Sequence, residues 1–372
     1  MVPVQSPPRE LIQEADSLRQ GGHIEDATAL YLAAIASNPS CRVAQRRLTK
    51  VMRGYELPKQ LLDQICKRCT ELVNRQPNSH VALENLSYAL LRQGRVQQAN
   101  EWVQKLCYKL VKKTHPEFLR QGWPTGLRVG PQFMVIGAMK CGTTSLYSYL
   151  VSHPRIISAA RKEVRFFNCR WSRDCGIEFY KSFFPPLPTD GGYLTGEATP
   201  AYLRLPSVPE GVRKVFPNTR LIVILRNPVH RAVSQYYFSV RRGNQGRPIQ
   251  EALSLDLKKV EHLGSAKEIE GVNTKYIGVG MYAFHLEKWL GRFPREQLLV
   301  IHSDDLRHDP QTTMRRVFDH LRVENHQLSD YKVQNSAQYS QLDRPLFDRL
   351  SRFYRPHNNQ LEKLLDQEFG WK

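Results

Sequence analysis

The chain has 372 residues, 41% of them hydrophobic and 24% charged, with 54 Lys and Arg against 35 Asp and Glu for a formal net charge of +19. That is the composition of an ordinary soluble globular protein long enough for about two domains, and no apolar run of 18 residues offers a membrane span. The positive balance suits acidic ligands, but the basic residues are spread along the whole chain without an aromatic-studded stripe, so no specific nucleic-acid partner is expected.

The first ten residues, M-V-P-V-Q-S-P-P-R-E, carry no apolar core of a signal peptide, and an intracellular, cytoplasmic location is expected. Seven cysteines at scattered positions then read as reduced thiols. Cys66 and Cys69 form a C-x-x-C inside a helical pattern with no second pair, which argues against zinc, and Cys169 and Cys175 are expected to be free.

Residues 9 to about 115 read as all-helical. Gly22, Ala27, Tyr31, Ala34 and Pro39 follow a pattern that resembles the tetratricopeptide repeat, in which small residues let paired helices pack closely. A looser second unit ends at Pro77, and Gly94 and Ala99 repeat the Gly22–Ala27 spacing in a third. Three such units stack into a short solenoid, which offers either a groove for a protein partner or extended substrate, or a cap that only stabilises its neighbour. Pro116, Gly122, Pro124, Gly126 and Gly130 then mark a linker, so the helical region with its linker is assigned to residues 1–125 and a second domain to 126–372.

The second domain alternates strands and helices. Strands are predicted at Phe133–Ile136, Tyr193–Thr195, Leu221–Leu225 and Leu298–His302, with helices at Thr143–Ser152 and Val229–Arg241. Continuous apolar runs such as L-I-V-I-L suit parallel strands buried on both faces, which makes this an α/β domain with a parallel sheet. Ligands of such sheets sit at the carboxyl ends of the strands.

Two strand ends are anion sites by their chemistry. G-A-M-K-C-G-T-T-S leaves the first strand through a glycine-bounded loop, Gly137–Gly142, and opens a helix at Thr143, Thr144 and Ser145. Free N–H groups and the positive helix end converge there, and Lys140 and three hydroxyls add to them. The lysine stands two residues before Gly142, not after the second glycine as in a Walker A loop, which points away from ATP or GTP hydrolysis. Arg226-Asn227-Pro228 follows the L-I-V-I-L strand, with Ser234 eight residues after Arg226. Arg226 can fork onto a phosphate, and Ser234 can donate to it. Two such sites suit a ligand with two separated charged groups.

Between them lies R-K-E-V-R-F-F-N, in which Glu163 stands among Arg161, Lys162 and Arg165 with Phe166 and Phe167 behind. A carboxylate kept ionised by cations beside an apolar wall suits a general base, and a surface charge cluster is the other reading. Glu197, in G-E-A-T-P-A-Y, is the second candidate carboxylate, as a cap or a substrate contact.

Together G-A-M-K-C-G-T-T-S-L, K-E-V-R-F-F, G-E-A-T-P-A-Y, R-N-P-V-H-R-A-V-S-Q-Y-Y and Y-R-P-H-N-N-Q-L resemble the PAPS-dependent sulfotransferases over about residues 131–372, nearest to the carbohydrate (heparan-type) branch and its bacterial relatives. The resemblance implies a P-loop-like parallel-sheet sulfotransferase domain. It implies that Lys140, Gly142, Thr143, Thr144 and Ser145 hold the 5′-phosphosulfate of PAPS and that Arg226 and Ser234 hold its 3′-phosphate. Glu163 would be the base, Lys140 would stabilise the leaving nucleotide, and no metal is required. The acceptor implied is a glycan or small molecule bearing a hydroxyl or an amine. Departures are Ala198, where heparan-type enzymes often carry lysine, and the lack of a disulfide-stapled C-terminal loop or a membrane anchor. Asn335, Ser336 and Tyr339 are weaker candidates for a loop closing over the nucleotide. A kinase-like phosphotransferase and a repeat scaffold with an inert α/β domain are the rival readings.

Overall fold

The computed structural model describes residues 8–120, 122–123, 128–168, 176–188, 192–263, 268, 272–332 and 342–371. Cys169, Cys175, Asn335, Ser336 and Tyr339 lie outside these, and so do the questions put to them. The chain forms two compact units. One comprises the described residues of Met1–Gly130, Ser158–Arg161 and Cys169–Thr189, and the other those of Pro131–Ile157, Lys162–Asn168 and Asp190–Lys372.

The first unit is built on six helices: α1 Pro8–Gln20, α2 Ile24–Ser37, α3 Arg42–Gly54, α4 Lys59–Arg75, α5 His80–Arg92 and α6 Val96–Thr114. Ala15, Ala27, Ala34, Ala44, Ala82 and Ala99 are fully buried, and small residues at these crossings let helices approach closely. α1 packs on α2 and α5 on α6, whereas α3 and α4 both pack on α2 and α5, so the middle of the stack departs from a simple series of hairpins. A buried polar link fixes α3 against α5: the Thr49 hydroxyl donates to Asn85 Oδ1 at 2.5 Å, and Asn85 Nδ2 donates to the Gln45 carbonyl at 3.1 Å. The later segments of this unit are tied in by Gln104 of α6, which donates to the carbonyls of Ser182 and Phe184, and by an ion pair between Arg161 and Glu84 of α5. Cys66 and Cys69 are free and buried, and burial pushes both thiols up, so they are packing residues.

The second unit is organised by strands β1 Phe133–Gly137, β2 Ile156–Ser158, β3 Leu194–Ala198, β4 Arg220–Leu225 and β5 Leu298–His302, in the sheet order β2-β3-β1-β4-β5. β1 pairs in parallel with β3 and β4, and β4 in parallel with β5. Phe133–Ile136 and Leu221–Leu225 are wholly inaccessible, as expected of parallel strands covered on both faces. Each such side chain is worth about 1.5–3 kcal/mol of transfer free energy. β3 runs on past the predicted Thr195 because β1 supplies a partner for each further residue, Phe133 to Gly196, Met134 to Glu197 and Val135 to Ala198. Glycine and glutamate hide that strand from intrinsic propensity.

Helix α7, Thr143–Leu150, follows β1 and stops two residues before the predicted Ser152; helix α8, Pro228–Arg241, follows β4. Val229, Ala232, Val233 and Tyr236 of α8 pack into a core with Leu253, Ile277, Leu350 and Tyr354. The last two belong to the long C-terminal helix Arg344–Leu365. This fixes the orientation of α8 and the register of everything on it.

Candidate active site

Both anion loops leave the carboxyl ends of neighbouring parallel strands, β1 and β4. The first is pinned where the Ala138 N–H donates to the Ile224 carbonyl of β4 at 2.8 Å, and it turns as Cys141 N–H reaches back to the Ala138 carbonyl at 3.3 Å. Gly142 caps α7 in the left-handed region, φ 104°, and a Cβ there would stand 3.4 Å from Ile224 Cδ1. Lys140 itself sits at φ 72°, a conformation that disfavours side chains and that sites of tight ligand contact tolerate. Gly137 leaves no room for a larger residue, since a Cβ would come within 2.5 Å of Leu203 Cβ. The N-cap is a glycine and brings no capping side chain to the start of α7, where the N–H groups of a helix's first turn favour an anion.

Around this loop the structure gathers residues from separate elements. Lys140 Nζ lies 4.2 Å from the centroid of the Phe238 ring, and Arg242 Cζ lies 4.3 Å from the same ring. Phe238 is one turn beyond Ser234 on α8, so Ser234, Phe238 and Arg242 follow one another at four-residue steps along one face of the chain. Thr144 accepts from Lys162 Nζ at 3.1 Å, and the same ammonium lies 3.6 Å from Glu163 Oε1. Burial draws the Lys162 ammonium below the usual lysine range, with Glu163 pulling it back up. Glu163 Oε2 accepts from Arg165 Nε at 2.9 Å and is closely paired with the second guanidinium nitrogen. Of the three cations read around Glu163, Lys162 and Arg165 engage it, while Arg161 pairs with Glu84.

Glu197 has a different duty. It is fully buried and accepts from the Val164 N–H at 3.0 Å, the Thr199 hydroxyl at 2.5 Å and the Tyr202 hydroxyl at 3.1 Å. Burial, then the charge of Glu197, drives the Tyr202 hydroxyl far above its ordinary pKa, so it stays a donor. Glu197 is therefore the internal anchor of the segment that carries Glu163.

The second loop is held by its own chemistry. Asn227 Oδ1 accepts from the N–H groups of Val229 and His230 at 3.0 and 3.3 Å, and Pro228 occupies the first helical turn. Ser234 is buried on α8. Tyr282 joins the two loops: its hydroxyl donates to the Arg226 carbonyl at 2.9 Å and lies 3.7 Å from Cys141 Sγ. Burial, then the Arg226 charge, holds His230 below its usual pKa, so it adds no charge at neutral pH. Phe238, Arg242 and Tyr282 were not singled out from sequence, and Lys162 was read only as a cation beside Glu163. Only Phe238 left a usable signal, four residues after Ser234 on a predicted helix.

A lysine loop, a second basic strand end on the adjacent strand and a carboxylate linked to the first through Lys162 thus lie within one unit. The family model described as "Sulfotransferase domain" matches residues 130–349. The chain belongs to the sulfotransferase family. It is 30% identical over 272 residues to the human heparan sulfate glucosamine 3-O-sulfotransferase 6, covering 66% of this chain and 75% of that protein. It is 25% identical to the membrane-associated sulfotransferase kil1 of Dictyostelium discoideum, covering 65% of this chain and 66% of that one. The human bifunctional heparan sulfate N-deacetylase/N-sulfotransferase 3 is 32% identical over 63% of this chain, a match that spans 30% of its own length. Among solved structures, a sulfotransferase from Alicyclobacillus acidocaldarius superposes with a TM-score of 0.52 at 26% identity, covering 64% of this chain and 97% of that one. The sulfotransferase is thus an enzyme whose catalytic domain is preceded by a helical region. Among the described residues no helix is long and apolar enough to cross a membrane, and no cluster of three His, Cys, Asp or Glu side chains is placed to hold a metal ion.

Proposed function

We propose that this sulfotransferase moves a sulfuryl group from PAPS to a hydroxyl, or an amine, of a glycan or small-molecule acceptor. The observation that carries the reading is the wiring of Glu163 through Lys162 to Thr144 at the start of the anion-binding helix. That link supports reading Glu163 as a proton acceptor beside a phosphosulfate cradle. The residues present fit such a donor: the loop is kept open by Gly142 in a left-handed conformation, and the groups around it are ammonium, guanidinium, hydroxyl and backbone N–H.

When bound, PAPS supplies the activated sulfuryl group. The chain's own residues then divide the work. Lys140, Gly142, Thr143, Thr144 and Ser145 hold the phosphosulfate end, and Arg226 and Ser234 hold the 3′-phosphate. Glu163 takes the proton of the attacking hydroxyl or amine, a role worth about 10²–10⁴-fold in rate. Lys140 and the start of α7 meet the negative charge that grows on the departing nucleotide. Heparan sulfate, named for two of the relatives, favours a glycan among acceptors.

Thermal unfolding with PAP and with ATP tests the donor. PAP at 100 times its dissociation constant is expected to add about 2.7 kcal/mol of stability, with little effect from ATP. Stabilisation by ATP and none by PAP refutes the assignment.

A further inference from the structure

The second unit holds a recess lined by none of the residues assigned above to PAPS. A cavity of about 110 Å3 lies between the turn that follows β3, the segment leading to helix α9 (Tyr282–Leu290), and α9 itself. Its wall includes Arg204, Thr274, Gly278, Phe284, His285 and Lys288, and no carboxylate is among the described residues that line it. Arg204 stands at the exposed end, and the groups that bear on its charge are burial and a second cation, Arg231.

One polar group of the lining lacks a partner, and so does a buried group outside it. Thr274 is 5% exposed, and its hydroxyl makes no hydrogen bond. Arg231, on α8 behind the wall, is fully buried; one guanidinium nitrogen donates to the Tyr276 carbonyl, while Nε and Nη1 bond nothing. Buried donors without acceptors are rare in native proteins and mark a missing group. His285 adds no repulsion to a ligand of either sign. Its Nε2 lies 3.0 Å from the Gly278 carbonyl, and burial, opposed by that bond and reinforced by Arg204 and Arg231, holds it down to about 4. It is a neutral imidazole at pH 7.

A cation would meet Arg204 and the field of Arg231, and no carboxylate is among the described residues that line the recess. A neutral apolar ligand would leave the Thr274 hydroxyl unpaired. The volume holds a few waters' worth of atoms, at roughly 30 Å3 each, and not a nucleotide. We infer that this recess binds a small oxyanion, sulfate, phosphate or carboxylate, with the Arg204 guanidinium as its charged clamp and the Thr274 hydroxyl as its second donor. The oxyanion has two sources, a free ion or a substituent on a larger molecule. Sodium sulfate and a monosulfated monosaccharide are therefore separate arms of the test.

The experiment uses the full chain with PAP saturating, so that the lysine loop is already filled. The thermal midpoint is followed against each probe, with sodium chloride at matched ionic strength as the reference. A saturable rise is expected with sulfate, and its half-saturation concentration should move up at least tenfold in Arg204→Gln and also rise in Thr274→Val. A matching saturable response to the sulfated sugar assigns the site to a substituent, and a response to inorganic sulfate alone assigns it to the free ion. A linear rise of the same slope in wild type and Arg204→Gln overturns the proposal, because sulfate strengthens burial in any protein. Arg204 is exposed, so its variant keeps the fold even where Thr274→Val does not. Should PAP itself fail to bind, the donor assignment falls, and the same titration in Lys140→Ala still decides the recess.

Discussion

Two glutamates serve the site in opposite ways, and single substitutions separate them. Glu163 keeps 30% of its side chain exposed and is held by Lys162 and Arg165, pairs worth at most about 1 kcal/mol at a surface. Glu163→Gln is expected to leave the urea midpoint close to wild type while turnover falls by about 10²–10⁴. Glu197 is fully buried beneath three donors. Its amide in Glu197→Gln must turn an NH2 toward one of them, and hydrogen bonds to a buried charge are worth about 1.5–3 kcal/mol each. Glu197→Gln should therefore lower the unfolding free energy by about 2 kcal/mol and reduce turnover through a displaced Glu163 segment. A Glu197→Gln protein as stable as wild type would remove Glu197 from its anchoring role, and full turnover in Glu163→Gln would remove the base.

At the scale of elements, the site depends on how β1 hands over to α7. Gly142→Ala forces a Cβ into a left-handed backbone at about 1–2 kcal/mol and sets it 3.4 Å from Ile224 Cδ1. Gly243→Ala makes the matching control, since Gly243 has φ 67° with open space around it. Both should lose similar stability, but only Gly142→Ala should weaken PAP binding, by about tenfold or more, in calorimetric titration. Equal PAP affinity in the two variants would take the loop out of the donor site. These loops were legible in the sequence because apolar strand, glycine turn and hydroxyl-bearing helix start are consecutive along the chain. The same holds for β4, Asn227 and Pro228. The end of β3 was not, because pairing with β1 and not propensity holds residues such as Gly196 and Glu197 extended, and neither was the three-residue edge strand β2 beside it. The links through Lys162, Phe238 and Tyr282 were hidden for another reason: each joins elements far apart in the chain, and spacing carries no trace of a contact between α7 and the Glu163 segment. Arg161 shows the converse, a neighbour of Glu163 in sequence whose ion pair is with Glu84.

At the scale of the whole molecule, the net charge of +19 and two half-buried histidines act together on acid stability. Burial holds His285 down to about 4, and burial with the Arg220 charge holds His320 down to about 4 as well. In the unfolded chain both return to about 6.5. Between those values the unfolded state binds protons that the folded state refuses, so stability is intact above about pH 6.5 and falls as the pH drops toward 4. Each histidine adds a slope of at most about 1.4 kcal/mol per pH unit. Acidification also adds positive charge to a chain already far from neutral, which pushes the same way but is screened by salt. Urea unfolding at pH 7 and pH 5 should therefore show a loss that 0.5 M sodium chloride only partly restores. His320→Gln removes one titrating group while keeping a donor for the nearby backbone carbonyls, and it should flatten the salt-insensitive part of the slope. An unchanged slope in that variant would assign the acid sensitivity to net charge alone, and full restoration by salt would do the same.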